Sequence, residues 1–221
     1  MFRSSKEVED IIKTIKNPES ELISLETKNL CIEKIEVDFI KMDIITVISD
    51  NPEAQGLIKA QKAGIKTLVI NTSNEYISEL FTLIDSHPID LIILSGFMKI
   101  LPKSFTDKYR GKIINLHPSL LPKFKGLNTH EKVLDSKEKY HGASVHFVTS
   151  ELDAGPVIIQ GKTKVLSDDT INTLKERVHK IEYKIFPLAV KWFVENHIKH
   201  VGNQCFFDNE VLECPIEHLA D

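Results

Sequence analysis

The feature that most constrains this chain is the alternation, through its first half, of short apolar runs with amphipathic stretches of helical period. Asp43 to Ser49 (DIITVIS), Thr67 to Ile70 (TLVI), Ile89 to Leu94 (IDLIIL) and Lys112 to Leu116 (KIINL) are short and rich in β-branched residues, as strands are. Between them, Pro52 to Ala63, Tyr76 to Ser86 and Phe105 to Tyr109 read as helices, with Ile77, Leu80, Phe81 and Ile84 on one face. Strands separated by helices of this length pair in parallel through right-handed crossovers. The pattern therefore predicts the α/β class, as a single-domain, Rossmann-like, mostly parallel twisted sheet with helices on both faces. A run as apolar as Ile89 to Leu94 predicts a strand covered on both sides.

After Leu116 the character changes. Pro118, Pro122 and Gly126 punctuate a loop, and His130 to Leu134 reads as helix. Ser144 to Val148 alternates like a half-exposed strand. Pro156 to Ile159 and Thr163 to Val165 read as a further strand bent at Gly161. Asp168, Asp169 and Thr170 offer N-capping oxygens to a long helix reaching about Glu195, which Pro187 is expected to kink or interrupt. Asn209, between CFF and EVL, predicts a short C-terminal hairpin. Leu22 to Ser24 reads as the first strand. Residues 1–20, with Val8, Ile11, Ile12 and Ile15 on one stripe, read as an N-terminal extension to a domain spanning 21–221.

Composition excludes several classes. At 221 residues, 42% hydrophobic and 27% charged, the chain has the make-up of a soluble globular domain. A net charge of -4 provides no basic field for nucleic acid. Only Arg3, Arg110 and Arg177 carry guanidinium groups, so an anionic ligand falls to Lys, His and backbone N–H groups. Cys31, Cys205 and Cys214 have neither metal-site nor disulfide spacing, and are expected as free thiols in a reducing compartment. No stretch approaches the roughly 20 apolar residues of a membrane helix, and MFRSSKEVED lacks the apolar core of a secretory signal. The expectation is a cytoplasmic protein without membrane or metal.

In open parallel sheets ligands bind at the carboxyl ends of strands. Asn115 and His117 close the KIINL strand, two apart and so on one face, with Pro118 ending the strand at its rim. An amide donor beside an imidazole is what stabilising and protonating a developing oxyanion requires; a packed edge imidazole and a turn Asn is the alternative. Asp153 comes from a tight loop bracketed by Gly155 and Pro156. It is either a turn residue or a carboxylate delivered to His117, where it would favour the imidazolium. Spacing alone does not pair the two.

Three motifs in order carry a resemblance: Gly96-Phe97-Met98-Lys99-Ile100-Leu101, then Asn115-Leu116-His117-Pro118-Ser119-Leu120-Leu121-Pro122, then Glu151-Leu152-Asp153-Ala154-Gly155-Pro156. Together they resemble the folate-dependent formyltransferases, and within them the branch that formylates glycinamide ribonucleotide in de novo purine synthesis. The resemblance spans Leu22 to the tail hairpin. It implies transfer from 10-formyltetrahydrofolate as co-substrate to the amine of glycinamide ribonucleotide, with no metal, by a monomer or homodimer. His117 would donate to the tetrahedral oxygen, Asn115 would add a second donor, and Asp153 would hold the imidazole protonated and position a water. The pterin would lie against Met98, Lys99, Ile100, Leu101 and Asn115, and against the loop Thr149, Ser150, Glu151, Leu152 and Asp153. Ser144 and His146 lie beside the site in family members, and strand structure accounts for both equally well.

The phosphate half departs from the family pattern. Where the family places a glycine-rich phosphate loop, this chain has Leu25-Glu26-Thr27-Lys28-Asn29, and Glu26 would oppose a phosphate dianion. Asn29 matches there, Lys28 offers a point charge, and Glu182 matches a ribonucleotide-contacting position on the late helix. The connection from Ile70 to Tyr76 is short and lacks the family's basic residue. Two alternatives follow: a formyltetrahydrofolate deformylase, which needs no phosphate loop, and a folate-binding remnant. The deformylases carry an N-terminal regulatory domain that 21 residues cannot hold, and usually read HHSFLP where this chain reads HPSLLP. An intact Asn115, His117 and Asp153 argue against a remnant.

Overall fold

A computed structural model of the chain describes residues 43–70 and 76–219. The segments read as extension (1–20), first strand (Leu22 to Ser24) and phosphate loop with Asn29 lie outside the described residues, as do Cys31 and residues 71–75. The elements are β1 (Val47–Ser49), α1 (Gln55–Lys62), β2 (Thr67–Val69), α2 (Tyr76–Asp85), β3 (Ile92–Ser95), α3 (Lys103–Lys108), β4 (Ile113–His117), α4 (Thr129–Asp135), β5 (Tyr140–Phe147), β6 (Val157–Lys164), α5 (Ile171–Val194), β7 (Ile198–Val201), β8 (Gln204–Phe207), β9 (Glu210–Val211) and β10 (Ile216–Leu219).

The central sheet has the order β10-β6-β5-β4-β3. Its β3–β4 and β6–β10 pairs run parallel, β4–β5 and β5–β6 antiparallel, and β1–β2 form a further parallel pair. Strand parity sorts the side chains. Ile114, Leu116, Val145 and Phe147 pack on Val178, Ile181, Ile185, Phe186 and Ala189 of α5. On the other face Ile113 joins Phe105, Tyr109 and the half-buried Leu80 and Phe81. The Phe81, Phe105 and Tyr109 rings interlock there, with centroids 5.0 and 4.8 Å apart along the row. Each such apolar side chain contributes about 1.5–3 kcal/mol when fully buried. At β3, Ile92 and Leu94 face one cluster while Ile93 and the preceding Leu91 face the other, as the uninterrupted apolar run required.

Four local expectations change. The strand read as half-exposed is buried at every position from His141 to Phe147, because its polar face, with Ser144 and His146, is covered by the loop that follows β4. Gly161 is not a bend: β6 runs unbroken from Val157 to Lys164, and a Cβ at 161 would stand 1.9 Å from Ile181 Cγ2, so the glycine lets α5 lie directly on the sheet. Pro187 does not interrupt α5, which is continuous for 24 residues. The neighbours Ile185, Phe186, Ala189 and Val190 are all buried, and this packing carries the helix past the one bond that proline removes. Finally, the tail is more than a hairpin. β8 and β9 turn at Asp208 and Asn209, both at positive φ (51° and 69°) as a type I′ turn requires, but β7 adds a third strand and β10 returns to the edge of the central sheet.

The start of α5 is as read. Thr170 accepts the Thr173 N–H, and the Thr173 hydroxyl oxygen accepts the Thr170 N–H in return.

Candidate active site

β4 delivers Asn115 and His117 to one face, and the β5 register sets a partner opposite each: Asn115 faces His146 and His117 faces Ser144. Residues directly opposed across antiparallel strands have Cβ atoms roughly 4.5–5.5 Å apart, so the four side chains form a compact square. The β5–β6 ladder slips by one residue between Val145 and His146, a bulge of the kind that re-aims side chains beside functional sites.

Asp153 reaches this square from the loop between β5 and β6. The loop is pinched at its base, where the Phe147 N–H donates to the Pro156 carbonyl at 2.9 Å. A Cβ at Gly155 would stand 1.9 Å from the Phe147 carbonyl oxygen, so only glycine allows that closure. Asp153 itself sits at φ 47°, a left-handed conformation that aspartate tolerates better than most residues. Its Oδ2 lies 3.3 Å from His117 Nδ1 and accepts the Gly126 N–H at 2.9 Å; its Oδ1 lies 3.7 Å from His146 Nε2. The Asp153 and His117 side chains are 9% and 7% exposed, so the pair interacts with little solvent screening.

Partners assign the protons. His146 Nδ1 is 2.8 Å from the Phe147 carbonyl and so carries a hydrogen. Burial, opposed by that carbonyl and by Asp153, pushes the His146 pKa down to about 4, so the ring is neutral and its Nε2 is an acceptor. Nε2 receives an N–H of the Asn115 amide at 3.1 Å, which fixes the amide's orientation and leaves its second hydrogen for a ligand. His117 faces oxygen on both sides, Asp153 at Nδ1 and the Phe124 carbonyl at Nε2 (3.0 Å), an arrangement the doubly protonated ring satisfies.

A cavity opens beside the square, lined by Asn115, His146 and Asp153, by Lys99, Ile100 and Leu101, and by Thr149, Ser150, Glu151 and Leu152. Of the residues read as folate contacts, only Met98 is not among its lining; it is 54% exposed, and of the lining residues Ile100 and Leu152 are exposed apolar side chains. Leu101 is largely core, and Lys99 pairs with Asp50 at 3.6 Å while lying 4.8 Å from the Tyr76 ring centroid. The lining thus combines apolar side chains with amide, imidazole and carboxylate groups, the mixture by which a small-molecule site gives both contact area and orientation. Glu182 is buried on α5, 3.9 Å from His179 Nε2, and is not among the residues lining this cavity.

Sequence reasoning missed several parts. Phe124 and Gly126 act through backbone groups, which leave no trace in side-chain identity. Gln160, which follows the apolar Val157-Ile158-Ile159 of β6, is the one side chain there that offers a signal. His130 and His141 bond to each other at 2.9 Å behind the loop, and burial, reinforced by His130 and His117, holds His141 down to about 3. Among the described residues no group of three or more His, Cys, Asp or Glu could hold a metal ion, and no helix is long and apolar enough to cross a membrane. Cys205 and Cys214 are free thiols.

Residues 22–190 match the family model described as formyl transferase. The chain belongs to the formyl transferase family. Among its formyl transferase relatives, the phosphoribosylglycinamide formyltransferase of Escherichia coli (strain K12) is 39% identical over 207 residues, covering 90% of this chain and 97% of that one. The solved phosphoribosylglycinamide formyltransferase of Coxiella burnetii superposes with a TM-score of 0.81 at 37% identity, over 98% of this chain and 95% of the other. A formyltetrahydrofolate deformylase from Pseudomonas syringae pv. tomato is also similar, with a TM-score of 0.70 at 26% identity, but only 57% of it is covered. The motifs that carry the formyl transferase resemblance all lie inside the matched segment.

Proposed function

We propose that this chain transfers the formyl group of 10-formyltetrahydrofolate to the amine of glycinamide ribonucleotide in de novo purine synthesis. The observation that carries the reading is the meeting of His117 and Asp153 at 3.3 Å beside the hydrogen-bonded Asn115–His146 pair, with Asn115, His146 and Asp153 among the lining of the adjoining cavity. The near-complete coverage of a relative of that name supports the choice of acceptor.

The folate supplies the formyl carbon, which the acceptor amine attacks; the bond to the folate nitrogen then breaks. The free Asn115 hydrogen and the His117 imidazolium donate to the oxygen on which negative charge develops. The Nε2–H of His117, which the Phe124 carbonyl positions at 3.0 Å, is the hydrogen that would be shared with that reacting oxygen. Asp153 holds His117 protonated through Nδ1, and its second oxygen orients a water that carries the proton lost by the amine to the departing nitrogen. Met98, Lys99, Ile100 and Leu101, with Thr149 to Asp153, flank the folate, and Asn29 and Glu182 contact the ribonucleotide. We read residues 21–221 as one formyltransferase domain with an extension at 1–20, acting in the cytoplasm as a monomer or homodimer and without nucleic acid.

Incubating the protein with 10-formyltetrahydrofolate, with and without glycinamide ribonucleotide, tests this through the folate absorbance. Turnover that depends on the amine is the expected result. Turnover without it would instead identify a deformylase, and silence in both a binding remnant.

A further inference from the structure

Gln160 lies on β6 opposite Ser144, extending the His117–Ser144 row across a third strand. Its side-chain amide donates to the Leu121 carbonyl at 2.7 Å and to Ser144 Oγ at 2.9 Å. Ser144 Oγ in turn donates to the Ser119 carbonyl at 2.6 Å and accepts the Leu121 N–H at 3.1 Å. Two side chains of the sheet thereby hold three backbone groups of the turn that leaves His117. Ser119 Oγ continues the chain of bonds to the Lys123 carbonyl at 2.7 Å. The next residues are those that grip the catalytic pair: Phe124 through its carbonyl on His117 Nε2, and Gly126 through its N–H on Asp153 Oδ2.

We infer that Gln160 is a positioning residue for the His117–Asp153 pair, acting through Ser144 and the 119–126 turn without touching either member. The physical reason is polar accounting. Ser144 and Ser119 are fully buried, so neither Ser144 Oγ nor the Leu121 carbonyl has water to replace a lost donor. The turn must then shift to find one, and Phe124 and Gly126 shift with it. Displacements of about 1 Å in a catalytic group can cost about 100-fold in rate.

The inference rests on the transferase reading, and the test separates the two. In the full chain, Gln160→Leu and the isosteric Gln160→Glu are compared with wild type by kcat, by KM for both substrates, and by ¹⁵N NMR of the histidine rings. The hydrogen-bonded Nε2–H of His117 is assigned by its loss in His117→Gln. The expected result is a fall in kcat of about 100-fold with both KM values within about threefold, and loss of the His117 Nε2–H signal. Should the Leu variant not fold, the Glu variant decides at pH 8, where a carboxylate cannot donate to Leu121. A folded variant with wild-type kcat, or one in which only the KM values rise, overturns the inference. If wild type shows no transfer at all, the functional reading falls instead, and persistence of the Nε2–H signal in the variants would still overturn the role given to Gln160.

Discussion

Asp153 Oδ2 stands 3.3 Å from His117 Nδ1 while the same oxygen accepts the N–H of Gly126, so one carboxylate joins the His117 imidazole to the turn that follows β4. Removing its charge leaves the shape and takes away the partner of the imidazolium. Asp153→Asn and His117→Ala are each expected to lower kcat for formyl transfer by about 100-fold or more. Steady-state assays with both substrates measure this, and a wild-type rate in either variant removes that residue from the mechanism.

Asn115 is oriented by a neutral His146, which leaves its second amide hydrogen for the oxyanion under the proposed mechanism. Asn115→Leu should cost about 100- to 1000-fold in kcat, the usual effect of deleting one such donor. Folate affinity, measured by fluorescence quenching, should change much less. A loss confined to affinity would make Asn115 a binding group.

Two buried histidines make the fold acid-sensitive. His146 and His141 titrate at about 4 and about 3 in the folded chain, below the roughly 6.5 of an unfolded histidine. Between those limits the unfolded state binds more protons, so stability is complete above about pH 6.5 and declines as pH falls toward 4 and then 3. Each group contributes a slope approaching about 1.4 kcal/mol per pH unit within its window. Urea unfolding at pH 7, 5.5 and 4.5 measures the slope, and His141→Gln should flatten it.

Asp169 illustrates the opposite sign. The Arg177 guanidinium grips it from both nitrogens, the Leu166 N–H and the Thr173 hydroxyl add to the hold, and its pKa is drawn down to about 2. Its contribution is present above about pH 4 and lost as pH falls through about 2. Asp169→Asn should destabilise the protein by about 2 kcal/mol at pH 7. Denaturant midpoints of the two proteins should converge at low pH, and a constant gap would refute the ionic origin.

Much of the fold was legible because apolar runs and helical stripes are local. β1, β2, α1 and α2 fall within the stretches the pattern marks, and β3, β4 and α3 overlap theirs to within one or two residues at an end. Errors arose where tertiary packing overrode local rules. The strand carrying Ser144 and His146 reads as half-exposed because polar alternation usually means water; here Ser144 bonds the turn after β4 and His146 bonds Asn115. Gly161 looked like a bend because its reason, the close approach of Ile181, comes from a helix far along the chain. The site was half legible: Asn115 and His117 share a face by strand parity alone, whereas Asp153 joins them only through a loop that the sheet folds back.

The loop that brings Asp153 is tied at both ends, by the Val148 N–H to the Ile113 carbonyl and by the Phe147 N–H to the Pro156 carbonyl, each at 2.9 Å. How far the carboxylate extends is therefore a matter of residue count. A single insertion or deletion between 149 and 155 is expected to leave the core contacts standing and still carry the carboxylate away from the imidazole. The separation of Asp153 from His117 is thus stored as a length of chain, and such a segment tolerates exchange of its letters far more readily than a change in their number.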